Sequence, residues 1–267
     1  MTNSSPASQP PGQPPQPNNA GQSLNLLLRH LRLPHMRHHW PALEQQATQH
    51  HWSYAQFLLA LCELEADHRA QGRIKRALLE AKLPTGKSFS SFHFDHCPEF
   101  NPAPLMQLAQ DTTWLSKAEN LLIFGPSGTG KTHIAAALGR CAIELGKRVK
   151  FFAATTLVQH LQKAKLDLLL PQALSKLDRF DLLILDDLGY VKKTDAETSV
   201  LFELIAHRYE RRSLLITANQ PFSQWDEVFS DSMMTVAAVD RLVHHALIVE
   251  IQAESFRKQQ ALKRSQA

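Results

Sequence analysis

The chain has 267 residues, enough for one domain of about 170 residues with a smaller second one beside it, and its composition is that of a globular protein. A formal net charge of +4 permits a polyanionic partner without requiring one. Cys62, Cys97 and Cys141 include no C-x-x-C spacing, which argues against a disulfide framework or a zinc ribbon. No apolar run approaches the length of a membrane span and no signal peptide opens the chain, so a reducing cytoplasmic location without membrane attachment is expected.

Residues 1–22 are Pro, Gln, Asn and Ser with almost no apolar content, so they cannot bury enough surface to offset their ordering entropy; a disordered tail is expected. Residues 23–83 read as a small all-helical domain that contacts DNA or a partner. Leu24, Leu27, Leu28 and Leu31 share one helix face, and Pro34 interrupts it. A second segment runs to about His50, and Ser53 with Gln56 forms a capping box. It opens a long helix striped by Phe57, Leu58, Leu61 and Leu64. Arg69, Arg73, Lys75, Arg76 and Lys82 gather toward the end of that helix, as a solvated face suited to the helix dipole or as a nucleic-acid or partner surface. His35, His38, His39, His50 and His51 have no cysteine or carboxylate at ligand spacing, so no metal site is expected among them. Residues 84–104, rich in Phe and Pro, read as an extended linker whose aromatics pack on the next domain.

Residues 105–258 form the main domain. Asn120-Leu121-Leu122-Ile123-Phe124 fits a strand buried on both faces. Gly125, Pro126, Ser127, Gly128, Thr129, Gly130, Lys131 and Thr132 follow it at once with the full G-x-x-x-x-G-K-[ST] spacing of a P-loop. A triphosphate needs backbone N–H donors at close range, and the glycines let the chain curl without a Cβ in the way. Lys131 is placed for the β and γ phosphates, and Thr132 supplies a hydroxyl for Mg²⁺ at a helix N-terminus. ATP and Mg²⁺ are therefore the expected ligands. Gly86-Lys87-Ser88 is a decoy, because no apolar strand precedes it.

Beyond the P-loop, strands and helices alternate. A helix from Lys131 should bury Ile134, Leu138, Ala142 and Leu145 and stop at Gly146. Strands are expected over 148–154, 181–187, 213–218 and 246–251, with capping boxes at Thr156/Gln159 and Thr194/Glu197. Such alternation means an α/β fold with a five-stranded parallel sheet and right-handed crossovers. Asp186 ends an apolar strand where Mg²⁺ wants a carboxylate close to Thr132, and Asp187 is the candidate to orient the attacking water. Asn219 closes Leu-Leu-Ile-Thr-Ala-Asn, where its amide can hold that water or the γ-phosphate, or serve as a turn former before Gln220-Pro221.

These segments, with Met233 to Leu242, resemble the two Walker motifs, sensor I and the arginine-finger segment of AAA+ ATPases. Phe92-His93-Phe94-Asp95, Asp187-Leu188-Gly189-Tyr190 and Ala238-Val239-Asp240-Arg241-Leu242 more narrowly resemble the IstB-like ATP-binding family of insertion-sequence transposition, relatives of DnaC and DnaA. The resemblance covers about Leu24 to Lys258. It implies a three-layer α/β/α P-loop NTPase of the AAA+ type behind a small helical domain. It also implies a homo-oligomer with ATP sites between subunits, binding to DNA largely without regard to sequence, and recruitment of a transposase; the alternative is a DnaC-like helicase loader. Arg241 is then the finger donated to the neighbouring subunit. The helix between the second and third strands would line a nucleic-acid channel, giving Lys163, Lys165 and Lys176 a role; the alternative is that they are solvated helix lysines. The second Walker B acid is Asp187 where most AAA+ enzymes have Glu, which implies slow turnover. Residues 259–267 are a short basic tail, too little for a lid, and Arg257 is the candidate sensor II arginine. A small-metabolite kinase fits less well, since no lid with an arginine cluster stands near the phosphates.

Overall fold

Five short apolar runs assemble into one parallel sheet; three of them are buried on both faces, while the last, Ala246–Glu250, leaves Leu247 and Ile248 partly exposed. The computed structural model describes residues 20–97, 100–189, 194–221, 224–225, 232–252 and 255–256. The described chain divides into two compact units between Arg73 and Ile74.

The first unit holds α1 (Ala20–His30), α2 (Pro34–Gln49) and the earlier turns of α3 (Tyr54–Ala81). Helix starts three residues sooner than expected; the remainder of the proposed tail, residues 1–19, lies outside the described residues. Its core is small: Leu28, Met36 and Leu61, flanked by Leu33, Trp40, Leu43 and Phe57. Leu27 and Leu31 of the expected α1 stripe are 58% and 59% exposed, so within this unit only part of that face is covered. Glu65 is the buried polar anchor. Its carboxylate accepts from the amides of His35 (2.9 Å) and Met36 (3.2 Å), capping α2 from α3, while Arg69 Nε reaches it at 3.1 Å and Arg69 Nη2 donates to the Arg32 carbonyl. The capping box at Ser53 and Gln56 forms. The tertiary fold also stacks His35 on His68 of α3, with ring centroids 3.5 Å apart.

The second unit takes the last turns of α3, which the sequence had assigned to the helical domain. The segment expected to be an irregular linker contains single turns at Phe89–Ser91 and Phe94–His96, and α4 (Ala103–Gln110) already starts within it. Phe89, Phe92 and Phe100 pack on the core that follows. After α5 (Thr113–Ser116) come β1 (Asn120–Phe124), α6 (Lys131–Glu144), β2 (Val149–Ala153), α7 (Ala154–Leu166), α8 (Leu170–Leu177), β3 (Leu182–Asp186), α9 (Asp195–Arg208), β4 (Ser213–Ala218), α10 (Ser232–Val243) and β5 (Ala246–Glu250).

The strands lie in the order β2-β3-β4-β1-β5, all parallel. Alternation along β1 sends Leu121 and Ile123 to a core with Ile134, Leu138, Trp114 and Leu105, and sends Leu122 and Phe124 to the other, with Leu157, Leu201, Leu204 and Trp225. Three layers result. Asn120 fixes the start of β1: its Nδ2 donates to the Leu242 carbonyl at 3.1 Å and its Oδ1 accepts from the Leu214 amide at 2.9 Å. β1 sits between β4 and β5 although its crossover leads to β2, so the strand order reverses beside it and a crevice opens at the C-terminal ends of β1, β3 and β4.

Two local expectations change. The Thr156/Gln159 box does not start α7. The helix begins at Ala154 directly out of β2, with Ala153 at the N-cap and no side-chain cap. Leu145 is 48% exposed because it stands at the end of α6, where the chain has already turned away from the core toward Gly146 (φ +84°). The Thr194/Glu197 box forms as expected, with the Thr194 amide 2.8 Å from Glu197 Oε2.

Candidate nucleotide site

The P-loop curls through three positive-φ glycines, Gly125 (+148°), Gly128 (+87°) and Gly130 (+95°). At Gly125 a Cβ would strike the Ile251 carbonyl, which β5 brings alongside when the Ile251 amide bonds to the Phe124 carbonyl at 2.8 Å; at Gly130 it would strike the Phe92 ring. Only glycine fits either place. The loop leads into the N-terminus of α6, where unpaired amides and the helix dipole favour an anion.

Lys131 is the first residue of that helix and is 6% exposed. Its Nζ donates to the carbonyls of Gly125 (2.7 Å) and Pro126 (2.9 Å) and to Oδ1 of Asn219 (2.7 Å). Asn219 Nδ2 in turn donates to Asp187 Oδ1 at 2.9 Å. Lysine, amide and second carboxylate thus form one chain of hydrogen bonds across the ends of β1, β3 and β4. Asp186 stands beside it: its Oδ2 accepts from Thr132 Oγ1 at 3.1 Å and its Oδ1 from Thr217 Oγ1 at 2.7 Å. A hydroxyl and a carboxylate oxygen side by side are hard donors of the kind Mg²⁺ takes. Asp187 has φ +64°, a conformation that aspartate tolerates, and its amide donates to Thr217 Oγ1 at 2.9 Å.

Thr217 joins the two acidic positions, through the carboxylate of Asp186 and the backbone amide of Asp187, and was not singled out from the sequence. Its signal was present: a hydroxyl residue two positions before Asn219, in a run from Leu214 to Ala218 that is otherwise apolar. The linker also enters the site. A cavity of about 200 Å³ is lined by Ser127 to His133, Asp187, Thr217 and Asn219, and by Lys87, Phe92, His93, Cys97 and Phe256. His133 ties linker to helix, its Nε2 lying 2.9 Å from the Ser88 carbonyl and its ring 5.2 Å from that of Phe92, edge-on. The Phe256 amide donates to the Gly128 carbonyl at 3.1 Å, which brings the chain's last described segment against the loop. Burial pushes the Cys97 thiol up, so it offers packing surface and no reactive thiolate.

The remaining expected residues lie apart. Arg241 does not line this cavity; its Nη1 donates to the Ala237 carbonyl one turn back at 3.0 Å, and its guanidinium covers the Phe202 ring at 5.1 Å. Lys163 and Lys176 are exposed on α7 and α8, whereas Lys165 is bound to Ser199 and Glu203, each at 2.8 Å. Arg257 and residues 259–267 lie outside the described residues.

Comparison with known proteins bears on the same segments. The family model described as IstB-like ATP binding protein matches residues 26–264. An insertion-sequence ATP-binding protein of Sinorhizobium fredii is 54% identical over 240 residues, 90% of this chain and 80% of that one. The ATP-binding protein of insertion sequence IS21 from Pseudomonas aeruginosa is 35% identical over 90% of each chain. Among solved structures, DnaA of Aquifex aeolicus bound to AMPPCP superposes with a TM-score of 0.53 at 18% identity, over 69% of this chain and 55% of that one. The DnaC helicase loader gives 0.52 at 17%, over 62% and 97%. At these identities the structural likeness establishes the AAA+ P-loop fold.

Proposed function

The chain belongs to the IstB-like ATP-binding protein family, and from that premise we propose that it is a helper ATPase of insertion-sequence transposition, which assembles on DNA and recruits a transposase. The observation that carries the reading is the hydrogen-bonded line from Lys131 through Asn219 to Asp187, set beside the Thr132–Asp186 pair at the carboxyl edge of the sheet. Each part has a distinct task. Lys131 and the P-loop amides hold the phosphates, and the wall of Phe92, His133 and Phe256 offers the base an apolar and aromatic surface. Thr132 and Asp186 hold Mg²⁺, which when bound neutralises charge on the phosphate oxygens. Asp187, exposed beyond the strand end, orients the attacking water, and Asn219 holds its carboxylate in place. Aspartate reaches one methylene less far than glutamate, so turnover is slow and rises when DNA or a partner orders the site.

The names of the relatives support the insertion-sequence context. The helicase-loader reading has only the shared fold behind it. The test measures ATP binding, ATP turnover and DNA retention on the same preparations. Lys131→Ala should lose ATP binding, and Asp187→Ala should keep binding and lose turnover, because Lys131 compensates ground-state charge whereas Asp187 acts only when water attacks. Unaltered nucleotide affinity in Lys131→Ala would end the site assignment. ATP-independent DNA retention by the wild type would end the helper assignment.

A further inference from the structure

At the edge of the sheet opposite the P-loop, where β1, β4 and β5 begin, the turn after α9 meets the turn between α10 and β5. Tyr209 and Glu210 come from the first turn, His244 and His245 from the second. One oxygen of Glu210 and one ring nitrogen of each histidine lie within 4.8 Å of one another, and all three residues are exposed. Glu210 Oε1 is 3.8 Å from His245 Nε2. The two imidazole rings have centroids 4.0 Å apart, and the Tyr209 hydroxyl lies 2.8 Å from His244 Nδ1. The His245 carbonyl accepts from the Asn120 amide at 2.7 Å, so the second turn is pinned to the sheet beneath it.

A glutamate–histidine ion pair would account for Glu210 and His245 but gives no part to His244, held by Tyr209 against the same carboxylate. Two imidazoles and a carboxylate are a donor set for a borderline divalent ion. Zinc–nitrogen and zinc–oxygen bonds of about 2.0–2.2 Å around a tetrahedral ion put donors roughly 3.3–3.6 Å apart, a spacing the Glu210–His245 pair nearly has and exposed side chains can reach by small rotations. Tyr209 matches the outer partner that ligating histidines use to fix ring orientation. We propose that Glu210, His244 and His245 bind a divalent transition-metal ion of zinc's type, with Tyr209 orienting His244. The site is separate from the nucleotide's cation, since Mg²⁺ takes oxygen donors and leaves imidazole to softer ions. A bound ion ties the end of α9 to the end of α10, whose last turn carries Arg241.

The test uses the full chain with no histidine tag, stripped with chelator and kept free of nucleotide. Zn²⁺ is titrated in competition with a chromogenic indicator, and Co²⁺ is added separately to read its visible bands. Wild type should bind one Zn²⁺ at this edge, undisturbed by millimolar Mg²⁺, and Co²⁺ should give the intense bands of a tetrahedral nitrogen–oxygen site. His244→Ala with His245→Ala should abolish that ion, and Glu210→Gln or Tyr209→Phe should weaken it about 10–100-fold. Retained ATP binding shows that each variant is folded. His35→Ala with His39→Ala, in the first unit, should leave the ion bound. Wild-type Zn²⁺ affinity in the His244/His245 variant, loss in the His35/His39 variant instead, or octahedral Co²⁺ spectra in the wild type would each overturn the proposal.

Discussion

Thr217 is the residue on which the two acidic positions of the site converge: its one hydroxyl donates to the Asp186 carboxylate and accepts from the backbone amide of Asp187. Replacing it by valine keeps the shape of the strand and removes both bonds. Thr217→Val should therefore lower ATP turnover about 10–100-fold, as loss of an orienting partner around a cation site does. Nucleotide affinity should change much less, since the loop and Lys131 are untouched; steady-state turnover set against equilibrium nucleotide binding checks the split. Asn219→Ala removes the link between Lys131 and Asp187, and should likewise cost turnover more than binding. The sequence showed Lys131, Thr132, Asp186 and Asp187 because they belong to contiguous patterns whose spacing is itself the signal. Phe92, His133 and Phe256 have no spacing that ties them to the phosphates, and Thr217 is a single hydroxyl within a strand. They meet at the cavity only because β4, the linker and the chain's end are folded onto it.

Among the elements, α2 depends on a residue of another helix. Glu65 is buried under the N-terminus of α2, where two amides and Arg69 share its carboxylate. Burial by itself would raise its pKa, but the amides of Met36 and His35 and the Arg69 guanidinium outweigh that, and the group is held below the usual carboxylate range. A folded-state value below the unfolded one means that the stability it contributes is complete above the ordinary carboxylate pKa and is lost as the pH falls through the lowered value. Glu65→Ala should cost about 2 kcal/mol, since it removes a charged cap and orphans buried donors. Hydrogen exchange of the α2 amides on the full chain reads this directly, and the difference from wild type should shrink in acid. The bounds of β1 and β4 were legible in the sequence to the residue because each holds an apolar run set between a polar residue at its start, Asn120 or Ser213, and Gly125 or Asn219 just past its end. The start of α7 was not, because the backbone passes from β2 into the helix at Ala153 and Ala154 with no side-chain signal, while Thr156 and Gln159 offered a false one. Arg208, fully buried at the end of α9, has a role that its place in the helix pattern did not reveal. It donates to the carbonyls of Leu177, Phe180 and Ser213, and burial pulls its pKa down to about 9, still charged at neutral pH.

For the whole molecule, the open question is how many chains make one active site. Arg241 rests on its own helix and on Phe202, outside the cavity of its own chain. We predict that it serves the site of a neighbouring subunit, where an arginine given in trans is worth about 10³–10⁵ in turnover. Arg241→Ala and Lys131→Ala proteins, each inactive alone, should regain ATPase activity when mixed; no recovery at any ratio, with both variants folded and co-assembling on DNA, would place the finger elsewhere. Retention on DNA should weaken steeply with salt and depend little on sequence, with a log–log slope of about −0.9 per phosphate neutralised. The order of the strands also makes the P-loop's strand depend on a distant segment. β1 carries the P-loop, yet one of its two neighbours is β5, near the chain's end, paired Asn120 to Ala246 through Phe124 to Glu250. A chain ending at His245 would hold the whole P-loop and still present β1 with an open flank. Such pairing across long sequence distances is slow to close. ATP can therefore stabilise this fold only when β5 is in place, and chains truncated just before it should be cut by protease whether or not ATP is present.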